Sequence, residues 1–316
     1  MKDWIKNLEK KSFGSGKFSQ SYQDELLEII FSNIKPKNNK PYCVEFGFNS
    51  KDLLSGSGAN VSYLIIKKKW NSLLLDGEYE NSRINLHKHF LTSQNISSLF
   101  RQYNVPKEPE YVSIDVDSTD LWLFESVVKD YRAMLFSVEY NANYPLEAAI
   151  TFPNNPNEYW QGDRGYGASL RALNMVAMKY GYSLLWVVPF LDAFFIRSDL
   201  IDDGTKQICF PFKKWKQATG YPCHRPIKDE SRLNIFINYE TYINTNGDII
   251  KSKKEAFNIC KEYLTTNGFL GDLKLIINKI VIKTYIFLKI EKWVPKLLID
   301  ILKKLYRKHF IINIKK

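Results

Sequence analysis

The chain has 316 residues, of which 45% are hydrophobic and 15% aromatic, which is enough apolar material for a large buried core. Glycine and proline number only 15 and 12, which excludes a collagen-like or mainly disordered chain. The net charge of +11 is concentrated in residues 271–316, where twelve Lys or Arg face three acids. The remainder is close to neutral, so the charge gives no reason to expect nucleic-acid binding by the body.

Strand and helix patterns alternate through the first 200 residues. Apolar strand patterns occur at 42–47, 72–76, 111–117, 134–141, 182–188 and 193–197. Helical spacing occurs at 19–31, about 60–69, 79–91, 121–129 and 169–180, where Ser169 is the predicted N-cap of the last helix. This alternation predicts a doubly wound, mainly parallel α/β sheet with one antiparallel strand at its end.

The rest of the chain is divided by its pattern. Residues 201–250 are weakly patterned, and helical spacing returns from 251. The expected organisation is an N-terminal helical segment (1–40), a Rossmann-like domain (41–200), an extension (201–250) and a basic amphipathic helical tail (251–316).

The basic tail has two readings. Lysines interrupt its apolar run, so it is a poor membrane-spanning helix. Residues 270–316 are expected to lie on an anionic membrane surface, which would make the protein peripheral on the inner face of a membrane. Alternatively, the apolar side of the tail packs on the body or on a second copy, giving a homo-oligomer.

Cysteine usage indicates the compartment. The four cysteines lack CxxC spacing: Cys43, Cys209, Cys223 and Cys260. Because residues 1–11 are charged throughout, no secretory leader is expected, and reduced thiols in a cytoplasmic protein are predicted. Cys209, Cys223 and His224 could suggest zinc, but three ligands at long spacing favour ordinary residues.

Polar side chains end two neighbouring strands. Asp115 and Asp117 follow the buried run Val112, Ile114, and Glu139 and Asn141 end the next strand. Lone carboxylates are costly inside a parallel sheet, so these side chains should lie at its carboxyl edge, where ligands bind in open α/β folds. The pattern predicts a site for a cation, for hydroxyl groups or for proton transfer.

Short motifs occur in a fixed order over residues 15–200. They are Ser19-Gln20 with Gln23-Asp24-Glu25, Val44-Glu-Phe-Gly47, Ser113-Ile-Asp-Val-Asp117 with Asp120, Val138-Glu-Tyr-Asn141, Gly167-Ala-Ser-Leu170, Gly181-Tyr182 and Ala193-Phe-Phe-Ile-Arg197. The ordered series resembles the FkbM-type branch of S-adenosylmethionine-dependent methyltransferases. The resemblance implies a seven-stranded class I methyltransferase sheet, with S-adenosylmethionine at the ends of the first two strands.

Cofactor contacts are expected from two groups of residues: Glu45, Phe46 and Gly47 after the first strand, and Asp76, Gly77 and Glu78 after the second. A glycine lets the backbone approach a cofactor, and an acid after the second strand can bind ribose hydroxyls. Relatives usually carry an Asp-Gly pair soon after the first glycine, whereas Phe48-Asn-Ser-Lys-Asp52 stands here. The loop before Gly56 and Gly58 is therefore longer.

The acceptor side is expected at the polar strand ends. Asp115, Asp117 and Glu139 are the predicted catalytic residues, and with Asn141 they are candidate Mg²⁺ ligands, since their donors are all oxygen. Some sugar O-methyltransferases, which the chain resembles in outline, place a magnesium ion on acids from these same two strands. Acceptor contacts are expected from Asn141, Asn143, Tyr159, Trp160, Arg164 and Tyr166. His87 and His89, placed on a helix, would point in different directions and not share a metal.

The sequence therefore predicts an S-adenosylmethionine-dependent O-methyltransferase acting on a glycan or lipid-linked sugar. The acceptor class comes from the resemblance and the tail. Two alternatives stay open. Asp115-Val-Asp117 could chelate the metal of a nucleotide-sugar in a glycosyltransferase, or the chain could be an inactive binding protein that keeps the fold, given the altered loop after Gly47.

Overall fold

A computed structural model describes residues 1–14, 16–54 and 59–265. Its strands are β1 (Tyr42–Phe46), β2 (Asn71–Asp76), β3 (Leu86–Lys88), β4 (Tyr111–Ile114), β5 (Leu135–Glu139), β6 (Ile150–Thr151), β7 (Tyr182–Val187), β8 (Asp192–Arg197) and β9 (Ile237–Asn238). Its α-helices are α1 (Asp3–Leu8), α2 (Gln23–Asn33), α3 (Ser62–Lys68), α4 (Ile96–Gln102), α5 (Asp120–Asp130), α6 (Leu170–Lys179), α7 (Tyr239–Asn244) and α8 (Ile249–Leu264).

Seven strands form the central sheet in the order β3-β2-β1-β4-β5-β8-β7. The first five pair in parallel, and β8 runs antiparallel to both β5 and β7. The predicted α/β sheet is confirmed, and it is mixed rather than purely parallel. The antiparallel strand is β8, and it lies one position inside the edge of the sheet. Strand β7 forms the edge, and β8, the second strand of the β7–β8 hairpin, pairs between β7 and β5.

The middle strands are apolar because both faces of the sheet are covered. Phe124 of α5 packs on Phe136 of β5 at 5.0 Å and on Phe195 of β8 at 5.5 Å between ring centroids. All three rings are fully buried. Burial of each such side chain stabilises the fold by roughly 1.5–3 kcal/mol. Parallel pairing of β4 with β5 sets the carboxyl ends of these two strands side by side.

The helix predicted at 79–91 is wrong. This segment forms a short 3-10 helix (Ser82–Ile84) and then β3, which pairs with β2. Asn81 accepts the Arg83 amide, and Asn85, at φ +55°, ends the turn before a second helical turn can form. Because side chains two apart in an extended chain share a face, His87 and His89 both meet Tyr103, with ring centroids 4.1 and 5.7 Å away. Helix α4 had no predicted counterpart.

The weakly patterned extension packs against the chain that follows β5. Strand β9 pairs antiparallel with β6 in a small second sheet, which joins Ile150 to Asn238. Helix α8, the first part of the predicted tail, contributes the buried residues Ala256, Cys260 and Leu264 to a second apolar cluster. Within the described ranges, no helix combines the length and hydropathy needed to span a bilayer. Residues 266–316, which carry the predicted membrane anchor, lie outside the described part.

Candidate functional site

A cavity of about 700 Å³ opens at the carboxyl ends of the parallel strands. Its floor is made by residues that follow β1, β2 and β4, including Gly47, Glu78 and Asp115, and by Glu139 at the end of β5. The start of β8 adds Asp192, and later loops supply further walls. A volume of this size suits a small-molecule site.

Three carboxylates meet on the floor. Asp115 and Asp117 follow the last residue of β4, and Glu139 is the last residue of β5. One oxygen of each lies within 4.8 Å of an oxygen of the other two. The turn between the two aspartates is tight, because Asp117 adopts φ +59°, a region in which Asp is one of the less disfavoured residues. The structure thus brings together the three predicted catalytic carboxylates.

Burial dominates the electrostatics of this cluster. Burial raises the pKa of Asp115 well above its ordinary value, and the charges of Asp117 and Asp192 raise it further. Burial likewise raises the pKa of Glu139, and Asp115 and Asp117 add to the effect. Burial also raises the pKa of Asp117. Carboxylates packed in this way are stable only when they share protons or bind a cation.

A fourth acid lies beside the cluster at the start of α5. The Asp120 Oδ1 atom accepts the Val116 amide at 2.8 Å, while burial raises the pKa of this carboxyl to about 7. Its Oδ2 atom and the Glu139 Oε2 atom are both buried without a hydrogen-bond partner. Both face Gly167, where a Cβ atom would lie 3.6 and 3.8 Å from them. The glycine keeps space open beside two unsatisfied oxygens.

These donors fit a hard divalent cation. The ligand set contains oxygen alone, as Mg²⁺ and Ca²⁺ prefer, and one buried oxygen of Glu139 has no protein partner. Asp115, Asp117 and Glu139 would hold the ion. Among the described residues no His or Cys cluster with metal-ligand geometry occurs, so Cys209, Cys223 and His224 form no zinc site there.

Asp192 reaches the site from a strand that runs antiparallel to β5. It is the first residue of β8 and pairs with Glu139 across the antiparallel register. Its Oδ2 atom accepts the Gln23 side-chain amide at 3.0 Å and the Asn60 amide at 3.3 Å. Asn60 also donates to Ser113 at 3.1 Å. This network connects α2 and the start of α3 to the cavity. Asp192 was not among the site residues predicted from the sequence.

Glu45 and Phe46 stand behind the cavity rather than in its lining. The Glu45 carboxylate accepts the backbone amides of Asn60 at 2.9 Å and Val61 at 3.2 Å. Burial raises the Glu45 pKa to about 8, although both amides oppose the shift. Phe46 is fully buried and packs edge-on against Phe100. Glu45 therefore shapes the loop before α3, and Phe46 belongs to the core.

The other predicted cofactor residues line the cavity. Gly47, Asp76, Gly77 and Glu78 all lie on its wall. Both oxygens of Asp76 accept backbone amides: Oδ2 that of Asn49, and Oδ1 those of Glu78 and Tyr79, at 2.7–3.0 Å. Glu78 is exposed, so its carboxylate is the one positioned to meet a ligand. Gly56 and Gly58 lie outside the described residues.

The side-chain nitrogen and oxygen of Asn141 both form hydrogen bonds within the protein. Its amide donates to the carbonyl oxygens of Arg164 and Tyr166, both at 2.8 Å, and its Oδ1 atom accepts two N–H groups of Asn143. Asn143 in turn accepts the Cys223 amide at 2.7 Å. Both asparagines are buried and neither lines the cavity. Asn141 therefore holds the 164–166 loop and Asn143 holds the Cys223 amide, and neither side chain lines the cavity where the expected metal and substrate contacts would be made.

Of the remaining predicted acceptor residues, Trp160 lines the cavity. Its indole N–H donates to the Asp163 carbonyl oxygen at 2.6 Å, which fixes the ring. Tyr159 is 69% exposed and lies outside the lining. Arg164 is buried and donates to the Thr265 carbonyl oxygen, and Tyr166 is buried behind Trp160. Of the acceptor residues predicted in the aromatic loop, Trp160 is therefore the one that lies on the cavity wall.

Residues missed by the sequence analysis complete the lining. They are mainly polar and include Gln20, Gln23, Asn49, Asn60, His89, Thr92, Asn154, Asp192 and His224. Gln20 and Gln23 belong to a motif that supported the resemblance, which was a usable signal. His89 is held by Tyr103, whose hydroxyl lies 2.7 Å from Nε2. His224 comes from the weakly patterned extension, and the sequence analysis considered it only as a zinc ligand.

No protein-family model matches the sequence, and no match was found among curated proteins. Among solved structures the chain is similar to MycE methyltransferase from the mycinamycin biosynthetic pathway, in complex with Mg, SAH and mycinamycin VI. The superposition has a TM-score of 0.37 and 14% identity, and covers 58% of this chain and 51% of that chain, about half its length. The central sheet has seven strands with one antiparallel strand inside the edge, so the chain has a mixed α/β fold.

Proposed function

We propose that the protein is an S-adenosylmethionine-dependent O-methyltransferase of the FkbM type. One observation carries the proposal: a single cavity runs from Gly47 and Glu78, at the ends of β1 and β2, to the carboxylates after β4 and β5. A methyl donor and an acceptor must lie side by side in one enclosure for direct transfer. The cavity offers both positions.

On the donor side, the exposed Glu78 carboxylate is suited to accept hydrogen bonds from the two ribose hydroxyls. Asp76 is committed to three backbone amides and would hold the turn that presents Glu78. Gly47 keeps this part of the wall free of a side chain. The acidic lining also favours the positively charged sulfonium group of the donor.

On the acceptor side, Asp115, Asp117 and Glu139 would position the attacking hydroxyl. A divalent cation bound there would lower the pKa of that hydroxyl. Asp115 or Asp117 would take the proton of this hydroxyl, and the enclosed site would hold its oxygen in line behind the sulfonium methyl. Methyl transfer then leaves a neutral thioether and an ether product.

A glycan or lipid-linked sugar is the proposed acceptor. Trp160 presents an aromatic ring on the acceptor side, and polar side chains such as Asn154 and Thr92 lie nearby in the lining. Aromatic faces beside hydrogen-bonding groups suit the alternating apolar and hydroxyl faces of a sugar. Membrane association through residues 270–316 would bring the protein to a lipid-linked acceptor, and a cytoplasmic location is part of the same proposal.

Calorimetry with S-adenosylmethionine, S-adenosylhomocysteine and UDP-sugars tests the cofactor. The proposal expects one equivalent of either adenosyl ligand to bind and no UDP-sugar. Binding of a UDP-sugar alone would favour the glycosyltransferase reading of Asp115-Val-Asp117. Binding of none would favour a non-enzymatic protein that keeps the fold.

Transfer of a radiolabelled methyl group to a panel of methyl glycosides and lipid-linked sugars tests the reaction. The double variant Asp115→Ala, Asp117→Ala should lose at least about 100-fold in turnover, the usual scale for loss of acid–base groups. Retained binding of S-adenosylhomocysteine would show that the variant is folded. Undiminished turnover by that variant would overturn the assignment of the carboxylates.

A further inference from the structure

Three buried polar side chains form a cluster on the cavity wall: Asp192, Asn60 and Gln23. Each is at most 3% exposed. The Asp192 Oδ2 atom accepts the Gln23 side-chain amide at 3.0 Å and the Asn60 side-chain amide at 3.3 Å. Because both amides meet the same oxygen, the carboxylate is fixed in orientation while its Oδ1 atom accepts no hydrogen bond from the described residues.

A second oxygen of this cluster also lacks a partner. The Asn60 side-chain nitrogen donates to Asp192 and, at 3.1 Å, to the Ser113 hydroxyl. The Asn60 Oδ1 atom is buried and has no hydrogen-bond partner in the part of the chain that the structure describes. Buried acceptors without a partner are rare, because they have lost water and gained no other donor. The cluster therefore presents two oxygens that can accept a donor from a ligand.

The cluster lies at the donor end of the cavity. The Asn60 backbone amide donates to Glu45 Oε1 at 2.9 Å, and Glu45 precedes Gly47 by two positions at the end of β1. Glu45 was expected to contact the cofactor, but its carboxylate accepts the Asn60 and Val61 amides and does not line the cavity. Of the two acids that contact Asn60, Asp192 is therefore the one that a ligand can reach.

The remaining groups of the cluster select a cationic donor. The side-chain nitrogens of Gln23 and Asn60 are used within the protein, so acceptor oxygens are left. One of them belongs to Asp192, whose pKa is raised by burial, and an adjacent cation would favour its ionised form. An ammonium group supplies several N–H donors and a positive charge, whereas a hydroxyl supplies one donor and no charge. Neither Lys nor Arg occurs in the described lining to fill this role.

We propose that Asp192 and Asn60 bind the α-ammonium group of S-adenosylmethionine through their two Oδ1 atoms; the inference rests on the proposed function. Gln23 positions the Asp192 carboxylate by its hydrogen bond to Oδ2. Asp192 also pairs with Glu139 across the β5–β8 register, so the strand that anchors the donor lies beside a strand of the acceptor floor. The alignment of the sulfonium methyl with the acceptor hydroxyl depends on this anchor.

The first test needs no variant. Calorimetry in EDTA, which removes any divalent cation, compares S-adenosylhomocysteine with desamino-S-adenosylhomocysteine, in which hydrogen replaces the α-ammonium group. The wild-type protein should bind S-adenosylhomocysteine at least about ten-fold more tightly, the scale of one buried charge-assisted hydrogen bond. Equal binding of the two ligands would overturn the proposal and leave the proposed function standing. If neither ligand binds, the proposed function itself has failed.

The second test assigns this preference to Asp192. Asp192→Asn keeps the size of the side chain and removes its charge, so S-adenosylhomocysteine should bind at least about ten-fold more weakly while the desamino analogue binds as before. Equal weakening of both ligands, or an unchanged preference, would overturn the proposal.

Ser113→Ala is the matched control. It removes a hydroxyl to which Asn60 also donates, but neither of the two proposed ammonium contacts. This variant should keep the wild-type preference for S-adenosylhomocysteine over the desamino analogue. Loss of the preference in Ser113→Ala would assign it to the hydrogen-bond network as a whole and would contradict the role of the Asp192 carboxylate.

Discussion

A Cβ atom on Gly47 would lie 1.7 Å from the carbonyl oxygen of Asp115. The loop after β1 therefore packs directly on the loop after β4. The expected reason for a glycine at position 47 was close approach of a cofactor, and the structure adds contact with the protein backbone. The donor and acceptor sides of the cavity are joined at this point.

Gly47→Ala should destabilise the protein by at least about 2 kcal/mol, because the alanine would be strained at φ +71° and would collide with backbone rather than with a movable side chain. Urea unfolding measures the loss. Gly77→Ala is the control, since a Cβ atom there would meet nothing within 4 Å and φ is not positive. Equal stability of the two variants would contradict the packing described.

Glu45 should make the protein less stable as the pH rises. Burial raises its pKa to about 8 from an ordinary 4.5, so its stabilising effect is complete below pH 4.5 and is lost as the pH passes through 8. Between these values the slope from this one group is at most about 1.4 kcal/mol per pH unit.

Glu45→Gln should flatten this slope, since the amide oxygen can still accept the Asn60 amide without becoming charged. Urea unfolding at pH 5, 6, 7 and 8 compares the two proteins. Asp115 and Glu139 also have raised pKa values and remain in both, so the difference between the slopes is the quantity of interest. Parallel curves would refute the prediction.

Mg²⁺ or Ca²⁺ should stabilise the wild-type protein, by about 2.7 kcal/mol at a hundred-fold excess over Kd, because the ion binds the folded carboxylate cluster. Asp115→Asn should abolish this gain, yet be more stable than wild type in chelator, since the burial and like-charge repulsion that raise the pKa of this carboxyl no longer oppose folding. Thermal unfolding with and without the ion measures both effects. Asp130→Asn, an exposed acid at the end of α5, should behave as wild type.

The cavity should prefer the cationic donor to the neutral product. Seven acids and neither Lys nor Arg occur in its lining as far as the described residues go: Asp76, Glu78, Asp115, Asp117, Glu139, Asp192 and Glu158. Without metal, S-adenosylmethionine should bind at least about five-fold more tightly than S-adenosylhomocysteine, which corresponds to one weak charge interaction of about 1 kcal/mol.

The preference should grow as the pH rises, because burial raises the pKa values of Asp115, Asp117 and Glu139, and it should shrink in high salt. Calorimetry gives both dissociation constants. Sinefungin, which carries an amine in place of the sulfonium, is the control and should follow the donor. If S-adenosylhomocysteine bound more tightly than S-adenosylmethionine at every pH, the acids of the lining would not be acting on the positive charge of the sulfonium.

Local signals in the sequence predict much of the fold. Ser169 caps α6, because its hydroxyl accepts the Ala172 amide at 3.2 Å, as a serine before a helical run should. Asp115 and Glu139 lie at one edge because a buried parallel strand tolerates acids only at its end. The β3 segment was misread because its apolar spacing fits a helix, whereas pairing with β2 decides its structure.

The rest of the site depends on contacts between distant parts of the chain. Asp192 begins a strand, so a search of strand ends overlooks it, and only the reversed direction of β8 brings it beside Glu139. Asn141 resembled a ligand, but the carbonyl groups of the 164–166 loop take up its amide. His224 is placed by hydrogen bonds to residues about 80 positions earlier, which no local pattern reports.

The main sheet is finished at Arg197, whereas the cavity also needs a segment near residue 224. A nascent chain halted on the ribosome at residue 200 would contain every strand of that sheet and still lack one wall of the enclosure. Residues after 200 also complete the core, since Trp215 and Tyr239 are buried in it. A shortened protein that ends at residue 200 would therefore lack part of its core as well as one wall of the cavity.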